Sequence, residues 1–430
     1  MELRRDWRCH PDMTVRTSIS RRTILTMLAG SGVAALVGCT PARSRSSASV
    51  VTLPDALLVE VDDGLGVLRG ADRQMVPNSV ATADGSAIYA TALAGADTDF
   101  WRIDTATGHA SARLRLPGRW VPQAVSASGT RVALTSSEVS VTGGRPDGRD
   151  VTPVLIADTT GVQHRLELRG NFVPETFTED LAGLFVLEWL PAKAPDRYRV
   201  RVVDLQTRVP GPLVTRSKAP IPSGAEEEMR GDGRQAVLAP NRTILYTLYT
   251  HQPDHQHTRD LVSGRPGNVH AFVHTLNLAE RWAYCIDLPH PFGEAPANGH
   301  AMAISSDGGR LFVADVTSGR IAEISSEDLT VSRTTTMAEG AGTGHAVADR
   351  DRLFVGAGTM VRTVDLAGLG LAAEWPVREP VTGLVLSPDR KRLYVGQTDA
   401  VSWHDPATGA ELGRAPVPGL VVLHGAAGGA

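Results

Sequence analysis

A short polar turn between two alternating apolar strands recurs along this chain. Aligned on that turn, residues 79–90, 124–134, 236–246, 301–313 and 384–395 share one pattern, and weaker copies occupy 178–186 and 345–355. Asp, Asn and Gly supply the reversal, and apolar residues at every second position supply strands that bury one face. Each copy runs into a third strand ending in an acid and a turn. Examples are Trp101-Arg102-Ile103-Asp104-Thr105-Ala106-Thr107-Gly108, Val202-Val203-Asp204-Leu205 and Trp403-His404-Asp405-Pro406-Ala407-Thr408-Gly409. A fourth short strand follows. An Asp at a strand end normally caps its own turn through an Asx hydrogen bond, so these carboxylates are read as structural.

Four antiparallel strands repeating every ~40–45 residues make a propeller blade. The expected fold class is therefore all-β, a single β-propeller of four-stranded blades over residues 51–430. Seven complete sets begin near 78, 119, 171, 223, 294, 341 and 380. The fragments 57–73 and 419–425 join as one more blade, the C-terminal strand closing the ring, so eight blades are preferred to seven. The stretch Ser387-Pro388-Asp389-Arg390-Lys391-Arg392-Leu393-Tyr394-Val395 and its counterparts resemble the YVTN-type family of bacterial propellers. The resemblance covers about 78–419 and implies an architecture, not an activity.

The first fifty residues read as an address. A basic leader precedes Ser20-Arg21-Arg22-Thr23-Ile24-Leu25, an apolar run reaches Val37, and Leu36-Val37-Gly38-Cys39 follows. An apolar run of about 14 residues is a signal h-region, too short for a spanning helix. The Arg21-Arg22 pair resembles the twin-arginine export signal, and the stretch ending at Cys39 resembles a bacterial lipobox. The resemblances imply a signal peptide over 1–38, a lipidated Cys39 with a flexible tether to residue 50, and a domain held at the extracytoplasmic face of the cell membrane. Removing 1–38 leaves 37 basic against 44 acidic groups, a formal −7. Three cysteines, at 9, 39 and 285, provide no disulfide framework. Only three lysines (193, 218 and 391) against many arginines suggest a GC-rich, actinobacterial genome.

Binding chemistry is expected where the blades are enlarged. Insertions at 136–150, 190–197 and 250–268 lie between second and third strands, and so raise a wall over one arc of one face. The longest holds His251, His255 and His257, a set suited to a divalent metal such as zinc or copper. His300 and His345 begin innermost strands in matching Gly-His-Ala triplets, and His424 is a third if the C-terminal strand is innermost. These three, with Glu227 from the run Glu226-Glu227-Glu228, form a candidate ligand-binding set at the channel mouth. Cys285 reads as a buried thiol of a β-strand.

A net charge of −4 without a basic block excludes a nucleic-acid partner. No P-loop, Gly-rich dinucleotide fingerprint or c-type haem motif is present. A quinoprotein docking repeat is also rejected, because Ala112 and Gly413 stand where it requires Trp. No catalytic residues are assigned. The expected function is a membrane-anchored binding module for a protein, peptide or cell-envelope ligand. The alternative is a hydrolase of the lactonase type, using the channel-mouth histidines.

Overall fold

A computed structural model describes residues 52–62, 64–136, 141–142, 145–230 and 234–427. The signals at Arg21, Arg22 and Cys39 lie outside these residues.

The repeating turn is built from side chains that the sequence places at fixed offsets. Ser387 donates to Asp389 (2.6 Å), and Asp389 accepts the Lys391 N–H while Ser387 Oγ accepts that of Arg392. Thr82 with Asp84, Thr178 with Asp180 and Ser305 with Asp307 repeat the arrangement. The hydroxyl closes the turn and the carboxylate rigidifies it, so each hairpin starts in a fixed register. Asp104, Asp204 and Asp405 accept the N–H of Thr107, Thr207 and Thr408 (2.9, 2.7 and 2.9 Å), as expected of turn caps.

Eight blades result. Blade 1 combines Ala56–Val61, Gly64–Arg69 and Asp72–Met75 with the C-terminal strand Leu420–Ala427, which pairs antiparallel with Ala56–Val61 in the innermost position. Blade 2 spans 79–116, blade 3 120–169, blade 4 171–212, blade 5 235–287, blade 6 300–336, blade 7 345–376 and blade 8 381–416. In blade 5, Val214–Thr215 adds a parallel strand beside the outermost strand, Trp282–Asp287, and covers its free edge. Helix is confined to Thr258–Ser263 and a 3₁₀ turn at Ala297–Gly299 among the described residues.

The core lies between blades. Ala303, Phe312 and Ile321 of blade 6 pack against Leu353, Val355 and Val364 of blade 7, and Leu57 and Val59 of blade 1 pack against Tyr394 and Val401 of blade 8. Each sheet buries both faces, so central strands such as Leu393–Gln397 are buried at every residue.

The insertions of blades 3, 4 and 5 are tied into one wall. Arg149 N–H donates to Ala192 O, and Asn171 Nδ2 bridges Asp147 O and Ala192 O, joining the first insertion to the second. Tyr198 and Met229 exchange backbone hydrogen bonds, bringing in the segment that leads to blade 5. Gln252 then clasps Arg230 through both side-chain atoms, bringing in the third insertion.

Candidate metal centre

Period two decides which side chains of blade 5 meet. Phe272 and His274 lie two apart on the third strand, Cys285 and Asp287 two apart on the fourth, and the register pairs Phe272 with Asp287 and His274 with Cys285. All four therefore share one face. The insertion folds back over this face. His255 stacks on the Phe272 ring (4.5 Å, 19°), and His257 meets the same ring edge-on (4.9 Å, 90°). Gly267 allows this close fold, since a Cβ there would lie 2.0 Å from Asp254 O. His257 then caps the short helix Thr258–Ser263, its N–H bonded to Asp260.

The acidic run supplies the fourth side of the site. Glu226 is held by Arg199 (3.0 Å) and Arg201 (2.6 Å), and Glu228 by Arg197, all on blade 4. Glu227, between them, turns the other way. Its Oε1 accepts the Thr258 N–H (2.8 Å), while Oε2 lies 3.0 Å from the Cys285 thiol and 3.4 Å from His257 Nδ1. Donor atoms of Glu227, His257 and Cys285 all fall within 4.8 Å of one another. His255 Nε2 is 3.8 Å from the same carboxylate, buried and without a hydrogen-bond partner. A buried, unpaired nitrogen is costly unless something else occupies its lone pair or proton.

Outside these donors a further layer fixes their orientation. His257 Nε2 bonds Asp287 Oδ1 (2.6 Å), leaving Nδ1 for the interior, and Asp287 is held in turn by Arg259. A carboxylate on the far nitrogen of an imidazole is the usual support of a metal-bound histidine. Burial works against charge throughout the cluster, yet the facing His255 and His257 hold the Glu227 carboxyl well below the usual range. For His257, burial is outweighed by its bonds to Asp287 and Glu227, which lift its pKa to about 9. Burial and the Glu227 charge push the Cys285 thiol well up, and burial pulls His274 down to about 4.

A cavity of about 530 Å³ opens above this floor. Val200, Leu213, Ile221, Met229, Val262 and Tyr284 form its apolar walls, and Glu227, His257, His274 and Cys285 its polar base.

The structure distributes the candidate residues unevenly. Glu227, expected at the channel mouth, joins His255 and His257 of the insertion instead. His251 bonds the Thr250 hydroxyl through Nδ1 (3.0 Å). His300 is fully buried; Nε2 accepts the Gly293 N–H (3.0 Å) and Nδ1 faces Pro296 O. His345 begins the innermost strand of blade 7, and His424 Nε2 pairs with Glu60 (3.1 Å). His300 and His424 thus each have a polar partner close by in the fold. Cys285 and Asp287 were missed as functional residues by the sequence reading. Their spacing of two, matching that of His255 and His257, was the available signal.

No family model and no curated protein matches this chain. Among solved structures, apo AztD from Citrobacter koseri is similar with a TM-score of 0.50 at 13% identity, over 87% of this chain and 98% of that one. A second AztD structure from Citrobacter koseri gives 0.52 at 12% identity, over 87% and 97%. The dihydro-heme d1 dehydrogenase NirN in complex with DHE gives 0.49 at 13% identity, over 90% and 77%. At these identities the likeness to the two AztD structures bears on the fold alone, and this chain forms a β-propeller.

Proposed function

We propose that this protein is a membrane-tethered, extracytoplasmic binding propeller whose ligand is a divalent metal ion of the zinc class. The observation that carries the reading is the convergence of Glu227, His257 and Cys285 around one point, with Nε2 of buried His255 3.8 Å from the same carboxylate. One carboxylate, one thiol and two imidazoles form a mixed set of borderline softness. Such a set favours zinc over magnesium or calcium, which prefer oxygen alone. Glu227 and a Cys285 thiolate would neutralise a dication, and the ion would replace the protons now held by the thiol and by His257. The apolar cavity above the floor and Val262, 59% exposed at its rim, support a second ligand on the same wall, a protein, peptide or cell-envelope component.

The metal reading is tested on the full chain with Cys9 and Cys39 replaced by Ser, by competition for zinc against a chromophoric chelator. One tight ion is expected, weakened about 100-fold or more by Cys285→Ser or His257→Ala. Affinity unchanged from the parent protein in both variants overturns the reading. Tethering is tested separately in the native chain: Cys39→Ser should move the protein from the membrane to the soluble extracytoplasmic fraction, and Arg21→Lys with Arg22→Lys should block export.

A further inference from the structure

A second group of donors lies across the Arg259–Asp287 pair from the buried cluster. His270 lies between the insertion and the third strand of blade 5, and His290 and Glu294 belong to the connection between blades 5 and 6. One donor atom from each falls within 4.8 Å of the others. The His270 and His290 rings cross at 5.1 Å and 63°, and His290 Nδ1 meets the Glu294 carboxylate. A surface His–Glu pair four residues apart needs no ligand to explain it. Here, however, a third donor arrives from a separate element, and a cavity of about 370 Å³ is bordered by both histidines and by Asp287. Arg259 and Arg265 line that cavity as well, matched in charge by Asp260 and Asp287, and Glu294 adds a carboxylate to the two imidazoles.

We infer that His270, His290 and Glu294 form a second, solvent-facing site for a zinc-class cation, with Asp287 as the wall it shares with the buried centre. Two imidazoles and a carboxylate leave coordination positions for water, as in open zinc sites. His290 and Glu294 are 61% and 46% exposed at their side chains, so the ion exchanges directly with solvent. The outer site lacks a thiolate and is therefore the weaker of the two. Asp287 supports His257 through Oδ1 while lining the outer cavity, so its carboxylate serves both places. The outer site does not depend on the metal reading of the inner cluster; only the sharing of Asp287 does.

Cobalt(II) separates the two sites. With Cys9 and Cys39 replaced by Ser, Cys285 is the sole thiol, so a thiolate-to-cobalt charge-transfer band reports the inner site and equilibrium dialysis reports the total. The expected wild-type result is two bound ions, the second added after the band is complete. His290→Ala with Glu294→Gln should bind one ion with the band unchanged, and Asp287→Asn should weaken both sites about tenfold or more. One ion in the wild type with a full band, or two in the double variant, overturns the outer site. An unaltered outer affinity in Asp287→Asn overturns the sharing. If an ion binds without any thiolate band and is lost in the double variant, the outer site stands and the inner reading fails.

Discussion

Three consecutive glutamates show how much a single residue's direction matters here. Glu226 and Glu228 face the arginines of blade 4, whereas Glu227 faces His257 and Cys285 of blade 5. A run of acids usually marks a solvated face, and nothing in the three letters singles out the middle one. Glu227→Gln is expected to weaken zinc binding by about 100-fold or more, while Glu226→Gln leaves it within a few-fold. Chelator competition on the two variants distinguishes them, and equal losses would contradict this assignment. His345 behaves differently. Burial depresses its pKa from 6.5 to about 4. As pH falls through that window the unfolded chain takes up a proton that the folded chain refuses, so stability declines, by about 3 kcal/mol at most. His345→Gln should flatten the fall of Tm between about pH 6.5 and 4, measured by thermal melts across that range. An unchanged slope would show that His345 does not report this burial.

At the scale of elements, the turns and strands were largely legible. The Ser/Thr-x-Asp turn and the alternating apolar pattern are complete within about ten residues, so the local sequence contains both the reversal and its stabilising hydrogen bonds. The insertion of blade 5 is harder to read. Its loop positions, its three histidines and its glycines are visible in sequence, but the fold-back that puts His255 and His257 on Phe272 depends on backbone contacts. Gly267 against Asp254 O is one such contact. Gly267→Ala is expected to displace the loop and lower zinc affinity about tenfold or more, with little change in the Tm of the blades, because the helix of the insertion buries no side chain. Calorimetric melting beside zinc titration separates the two effects. A large fall in Tm with intact zinc binding would count against this picture.

At the scale of the whole molecule, the ring is closed by one strand. Leu420–Ala427 completes blade 1 and buries Leu420 and Leu423 against blade 8. Asp55 reinforces the same seam through Arg392 (3.0 Å) and Tyr394 (2.5 Å). Truncation before Leu420 leaves Ala56–Val61 with an unpaired edge, and is expected to abolish cooperative unfolding and promote self-association. Thermal melts and size-exclusion chromatography check this, and a monomer that still melts cooperatively would contradict it. The sequence by itself determined the blade repeat, the turn chemistry, the closing strand and the arc of enlarged loops, because each is written in short-range periodicity and turn residues. Only the tertiary structure decided that Glu227, His255, His257 and Cys285 cluster together. Glu227 and Cys285 are 58 residues apart. Their meeting depends on strand register and on how the connection from blade 4 crosses the outer edge of blade 5, neither of which any local pattern encodes.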